Sequence, residues 1–234
     1  MVFKRPLAFK LERPLISFTF DDFPRSALFT GGAILRNFGV TGTYYVALGL
    51  AGTQTATGEM FRIADLETVL EQGHELGCHT YSHCHSWETD SRAFEQSVID
   101  NQAAVSSLLP GYVFQTFSYP ISPPRPSTKA RIAKRFAGCR EGGQKFNSKV
   151  ADLNQLSAFF LEKCRDNFPA VKDIIDRNQA ACGWLIFATH DVAEIPTRYG
   201  CQPEFFASVV QYAVNSGAEI LPLVKALKIL KGVI

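Results

Sequence analysis

The chain alternates short, densely apolar runs with stretches in which apolar residues recur three or four positions apart. Leu15-Ile16-Ser17-Phe18-Thr19-Phe20 is β-branched and aromatic, and Trp184-Leu185-Ile186-Phe187-Ala188 is apolar throughout. Such runs suit strands of a parallel sheet buried on both faces. Thr41 to Ala47 and Val113 to Tyr119 read as further strands, with Glu75 to His79 and Ala218 to Leu221 as shorter ones. Between them lie helical patterns. Ser26 to Phe38 is stopped by Gly39, and Ala64 to Gly73 sets Leu66, Val69 and Leu70 on one face. Asp90 to Leu109 has a capping Asp90 and ends at Pro110-Gly111; Asn167 to Gln179 has Asn167 as a cap and Pro169 in its first turn. Ser127 to Phe136, Pro203 to Ser216 and Pro222 to Lys231 complete the set. Alternating strands and helices predict an α/β fold with a parallel sheet covered by helices. A barrel and a doubly wound sheet both fit. In either, functional side chains gather at the carboxyl ends of strands.

A length of 234 residues fits one domain, expected over residues 1–234, with the motif-bearing core between about residues 15 and 222. A hydrophobic share of 46% supplies a sizeable core. The net charge is +2 with scattered Lys and Arg, so the concentrated basic footprint of a nucleic-acid binder is missing. The opening MVFKRPLAFKLERP interrupts its apolar pieces with charges, unlike a secretory signal. No segment approaches the roughly 18 apolar residues of a membrane span. These features predict a cytoplasmic protein, with secretion of a longer precursor left open. The six cysteines form no C-x-x-C pair and read as free thiols.

Three features carry candidate chemistry, each at or just after a predicted strand end. Asp21-Asp22 follows the first apolar run; adjacent residues of an extended chain point to different sides, so one acid can bind a metal while the other acts as a base. The same pair could instead be a turn or helix cap. His79-Thr80-Tyr81-Ser82-His83 spaces two imidazoles as one face of a helical turn would, and imidazole suits zinc, cobalt or nickel. His74 and His85 read as structural or surface residues. His190 follows the most apolar strand; alone it would read as a structural hydrogen-bonder, and beside the other two features as a general acid.

Thr19-Phe20-Asp21-Asp22, then Gly73-His74-Glu75-Leu76-Gly77-Cys78-His79-Thr80-Tyr81-Ser82-His83, then Thr189-His190-Asp191 resemble the polysaccharide deacetylases, the NodB homology family. That family includes chitin, chitooligosaccharide and peptidoglycan N-deacetylases. The resemblance implies a distorted (β/α) barrel, TIM-like, with about seven strands. It implies a divalent ion, zinc or else cobalt or nickel, on Asp22, His79 and His83. Asp21 would be the base for a metal-activated water, and His190 the acid that protonates the leaving amine. The substrate would be a carbohydrate.

Two departures stand out. Where the family has Arg-x-Pro-Tyr, this chain has Ser118-Tyr119-Pro120-Ile121, so the arginine that pairs with the catalytic Asp must come from elsewhere, with Arg140 or Arg125 as candidates. Tyr119, Pro120 and Ile121 then line the substrate side, and the backbone N–H of Ile121 is a candidate oxyanion donor. Where the family has Asp-x-x-x-Trp, this chain has Cys139-Arg140-Glu141-Gly142-Gly143, with Glu141 as a substitute acid. The leading expectation is therefore hydrolytic removal of an acetyl group from an N-acetylated sugar. A hydrolase of another amide, such as a cyclic imide or ureide, and a non-catalytic carbohydrate-binding protein are the alternatives. The loops Gly49 to Glu59 and Glu194 to Gln202 are expected to shape the groove.

Overall fold

The structure is a computed structural model that describes residues 3–121 and 123–233. Seven parallel strands close into a barrel: β1 (Leu15–Phe20), β2 (Thr43–Val46), β3 (Glu75–Cys78), β4 (Thr116–Ser118), β5 (Gly138–Gly143), β6 (Leu156–Phe160) and β7 (Trp184–Thr189). Each pairs with its successor. The ring closes where β7 runs beside β1 over six positions, from Trp184 opposite Leu15 to Thr189 opposite Phe20.

Strand β1 is shared between neighbours on its other side. Its upper residues Thr19 and Phe20 pair with β2. Its lower residues Leu15 and Ile16 pair with a short parallel strand, β8 (Glu219–Ile220). The wedge of β8 makes the barrel irregular and fills the gap that the short β2 leaves.

Outside the barrel, a π-helical turn at Ala27–Gly32 runs into α1 (Ala33–Asn37), followed by α2 (Ile63–Glu71), α3 (Ser91–Leu108), α4 (Pro126–Ile132), α5 (Phe168–Ala180), α6 (Pro203–Asn215) and α7 (Leu223–Leu230). Local chemistry sets the ends. The Asp90 side chain accepts from Arg92 N–H, and Asn167 accepts from Ala170 N–H. Proline opens α4 and α6, and lies in the first turn of α5, where no intrahelical N–H is needed.

The alternation of side chains along each strand divides the core. Ile16, Phe18 and Phe20 of β1, with Leu185 and Phe187 of β7, pack into the layer under the helices. Leu15, Trp184, Ile186 and Ala188 pack with Tyr45, Leu156, Ala158 and Leu227 in a second cluster that fills the lumen and its floor. Both faces are dry, which is why these strands read as unbroken apolar runs.

The seven-stranded barrel matches the expected architecture. Two of its strands, β5 and β6, were not among the strands predicted. No helix separates them; residues 144–155 instead form a loop whose Val150–Asp152 pairs antiparallel with Pro6–Ala8. The helix expected over 127–136 is shorter, ending at Ile132.

Candidate active site

All the singled-out acids and imidazoles reach one end of the barrel. Asp21 and Asp22 follow β1, His79 follows β3, Tyr119 to Ile121 follow β4, Arg140 and Glu141 sit on β5, and His190 follows β7. Asp21, Asp22, His79, His83, Tyr119, Ile121, Arg140, Glu141 and His190 all line one cleft of about 770 Å³. Pro120, between Tyr119 and Ile121, is buried.

Candidate ligand atoms of Asp22, His79 and His83 fall within 4.8 Å of one another. Asp22 Oδ1 lies 3.3 Å from His79 Nε2 and 3.0 Å from His83 Nε2. The other ring nitrogen of His79, Nδ1, is 2.8 Å from the Ser118 carbonyl oxygen. A carbonyl only accepts, so Nδ1 carries the proton and a neutral His79 presents a lone pair at Nε2. That lone pair faces a buried carboxylate oxygen with no hydrogen-bond partner among the described residues. Acceptors meeting in this way require a cation between them, and one carboxylate with two imidazoles is a donor set for a zinc-like ion. The residues present therefore fit the group. Outer contacts fix the donors: Thr57 Oγ1 donates to Asp22 Oδ2 at 3.0 Å, and the Ser118 carbonyl orients His79.

The histidines do not converge through a helical turn, as their spacing suggested. Residues 79–83 form a bend, with Thr80 at φ 60° and His83 at φ 51°. Asp22 and Phe23 also sit at positive φ, 62° and 60°. Left-handed residues without glycine cost on the order of 1–3 kcal/mol each and collect where surrounding structure over-determines them. Here they turn two strand exits back across the barrel mouth.

Beside this cluster, Asp21 accepts a hydrogen bond from Arg140 Nη2, which also donates to Ser118 Oγ at 2.5 Å. Arg140 is 1% exposed, with its guanidinium carbon 5.1 Å from the Tyr45 ring centroid and 5.7 Å from that of Phe160. The arginine missing from β4 is thus supplied from β5, and it ends against the very serine that holds the family's arginine position. Arg125 is elsewhere: it donates to the Thr89 carbonyl and the Ser86 hydroxyl, clamping two loops. Burial pushes the Asp21 carboxyl up, but the adjacent Arg140 guanidinium, through its charge and its hydrogen bond, outweighs it and holds it below the usual range. Burial likewise raises Asp22, and the close approach of His79 and His83 brings it well below that range.

His190 follows β7, the strand beside β1. Its Nδ1 meets the Tyr199 carbonyl at 3.2 Å, and its ring is stacked on Phe160 at 6.5 Å. Tyr199 is held by its loop: Asp191 accepts from Thr197 N–H at 2.7 Å and from its hydroxyl at 2.6 Å. Gly200 lies so close that an added Cβ would come within 2.3 Å of the Asp191 carbonyl oxygen.

Glu141 shares the cleft with His190. Its carboxyl faces Gln155, Lys129 and Lys145 as well as Arg140. Glu162, just after β6, is a carboxyl within electrostatic reach of His190, as Asp21 is. Burial pushes Glu162 up to about 7, against the opposing pull of His190, and its Oε2 has no hydrogen-bond partner among the described residues. Sequence reading missed Glu162 because the strand that delivers it was not recognised. It missed Thr57 because a threonine in a polar loop carries no distinguishing signal. The two loops expected to shape the groove do so, through Leu50, Thr55, Ala56 and Thr57 on one side and Tyr199 on the other. His74 is structural: its Nδ1 accepts from Gly42 N–H at 2.9 Å.

Fold and site together define a (β/α) barrel with an Asp-His-His cluster at its carboxyl-terminal mouth. The polysaccharide deacetylase family model matches residues 10–137, and the chain belongs to that family. Among solved structures it resembles a family 4 acetyl xylan esterase from Clostridium thermocellum in complex with cobalt, at 20% identity, a TM-score of 0.60, and coverage of 93% of this chain and 92% of that one. A D285S mutant of a peptidoglycan deacetylase from Bacillus subtilis matches at 17% identity and TM-score 0.60, covering 94% and 93%. A family pseudoenzyme from Bacillus anthracis matches at 10% identity and TM-score 0.61, covering 92% of this chain and 66% of that one. A comparison with curated proteins returned no match.

Proposed function

We propose that this protein is a zinc-dependent N-deacetylase of N-acetylated oligosaccharides. The observation that carries the reading is the arrangement of an arginine-paired Asp21 and a carbonyl-oriented His190 in the same cleft as the Asp22-His79-His83 cluster. Asp22, His79 and His83 hold the ion. When bound, it polarises the amide carbonyl and lowers the pKa of water.

Asp21 takes a proton from the attacking water as its oxygen adds to the acetyl carbon. Arg140 keeps Asp21 ionised at neutral pH and fixes its rotamer. The backbone N–H of Ile121 donates to the developing oxyanion, a contact that survives any change of side chain there. His190 gives a proton to the amide nitrogen as the C–N bond breaks, which leaves acetate and the free amine.

The test is acetate release from N-acetylglucosamine oligomers by purified protein, with chelator and then with zinc or cobalt restored. Metal-dependent acetate is expected. Asp21→Asn should keep the metal and lose turnover, and His83→Ala should lose both. A near-normal rate for Asp21→Asn would sink the scheme. The departures at Ser118-Tyr119-Pro120-Ile121 and Cys139-Arg140-Glu141-Gly142-Gly143 favour one alternative: hydrolysis of a different amide such as a cyclic imide. Ring-opened product without acetate would identify it.

A further inference from the structure

The cleft is lined by polar residues, Glu141, Glu162, Lys163 and His190 among them, and by apolar Leu50, Ile121 and Pro123. Two exposed aromatics contact the loops that carry Leu50 and Pro123. Tyr81, 40% exposed, lies on the bend between the histidines, and its ring packs so close to Gly49 that a Cβ there would come within 3.0 Å of it. Trp87, 55% exposed, lies in the turn that follows. Its indole N–H donates to the Pro123 carbonyl at 2.7 Å. The Arg125 bonds to Thr89 and Ser86 tie the same two loops together.

Trp87 is therefore fixed at its polar edge and open on its apolar surface. An exposed aromatic held rigid beside a cleft loses little entropy on binding, and the C–H face of a pyranose packs on such a ring. Exposed apolar surface continuous with a binding cleft marks where a ligand extends.

We propose that Trp87 is a stacking platform for a second sugar unit, adjoining the unit that reacts at the Asp22-His79-His83 cluster, so that the enzyme prefers oligomers to monosaccharides. This rests on the N-deacetylase reading and specifies its substrate.

The chain has two tryptophans, and Trp184 is fully buried, so a change in indole emission on ligand binding reports Trp87. The zinc-loaded protein is titrated with the fully de-N-acetylated glucosamine trimer, which binds without being turned over. Saturable quenching or a blue shift is expected, absent in Trp87→Phe. In parallel, Trp87→Ala should lower the ratio of kcat/KM for the N-acetylated trimer over the monosaccharide about three- to tenfold. Trp87→Phe, which keeps a ring, should retain most of it. Unchanged emission, or a chain-length ratio equal in wild type and Trp87→Ala, overturns the platform. Acetate release failing on every oligomer would remove the deacetylase reading, while the emission titration still decides whether a sugar sits on Trp87.

Discussion

Arg140 and Asp21 form a buried ion pair, and such pairs are far more costly to halve than to build. Arg140→Gln strands the carboxylate, so the Asp21 carboxyl should move up. The acid limb of kcat/KM should move to higher pH with it, while zinc content by elemental analysis stays unchanged because Arg140 touches no ligand atom. The convergence of Ser118 and Arg140 makes a sharper experiment available. Ser118→Arg combined with Arg140→Ser returns the guanidinium to the family's usual strand, and it should recover activity that Arg140→Ser alone loses; a double variant as poor as the single would show that the β5 backbone, not the charge, is what matters. Glu162 gives a sign-checked pH effect. Its folded pKa lies near 7 against an ordinary 4.5, so between those values the folded chain keeps a proton that the unfolded chain has released. Its contribution to stability therefore falls as pH rises through that window. Glu162→Gln should raise the melting temperature relative to wild type increasingly from pH 4.5 to pH 7, and parallel curves would refute this origin. The sequence made Asp21, Asp22, His79, His83 and His190 legible because their residue types and order are distinctive. It could not separate Arg140 from Arg125, or find Glu162, because charge pairing is decided across strands that lie far apart in the chain.

At the scale of elements, the loops that carry donors are pinned by contacts a few residues long. The Gln54–Thr55 and Gly58–Glu59 hairpin delivers Thr57 to Asp22. Thr57→Val should weaken zinc affinity on the order of tenfold with the fold intact, as loss of an outer partner of a ligand commonly does, measured by competition with a chromogenic chelator. Gly200→Ala forces the Asp191 loop apart, so Tyr199 no longer positions His190. Turnover should drop while zinc binding persists, and an unaltered kcat would show that the loop yields harmlessly. Strands β1 and β7 were readable because both faces are buried, which leaves apolar residues at every position. Strand β5, Gly-Cys-Arg-Glu-Gly-Gly, was not: glycines and charges mark turns in most chains, and only the closure of the barrel around Arg140 makes a strand of them. Strand β6, Leu-Ser-Ala-Phe-Phe, is short, lacks β-branched residues and has no helix before it to set the βαβ rhythm.

At the scale of the molecule, the site is assembled from both ends of the chain, because Asp21 and Asp22 leave β1 while His190 leaves its neighbour β7. The Asp21 N–H donates to the Thr189 carbonyl at 2.9 Å, which locks these two exits together. An ion bound here binds the folded chain alone, so zinc at 100 times its Kd should add about 2.7 kcal/mol of stability, and a chelator should reverse it. A melting temperature indifferent to zinc would exclude a preformed site. The sharing of β1 among β2, β7 and β8 has a further consequence, on the ribosome. The first barrel strand to emerge meets β2 along only its upper end, and its remaining edge is open until β7 and β8 have been made. Almost the whole chain must be synthesised before that edge is covered, a topology that folds slowly and leaves an apolar strand free to pair with another nascent copy. The Asp21-Asp22 exit of β1 is thus translated well before β7 and β8, the strands that cover its edge, and yield in the cell should respond more to chaperone supply and translation speed than the finished protein's stability would suggest.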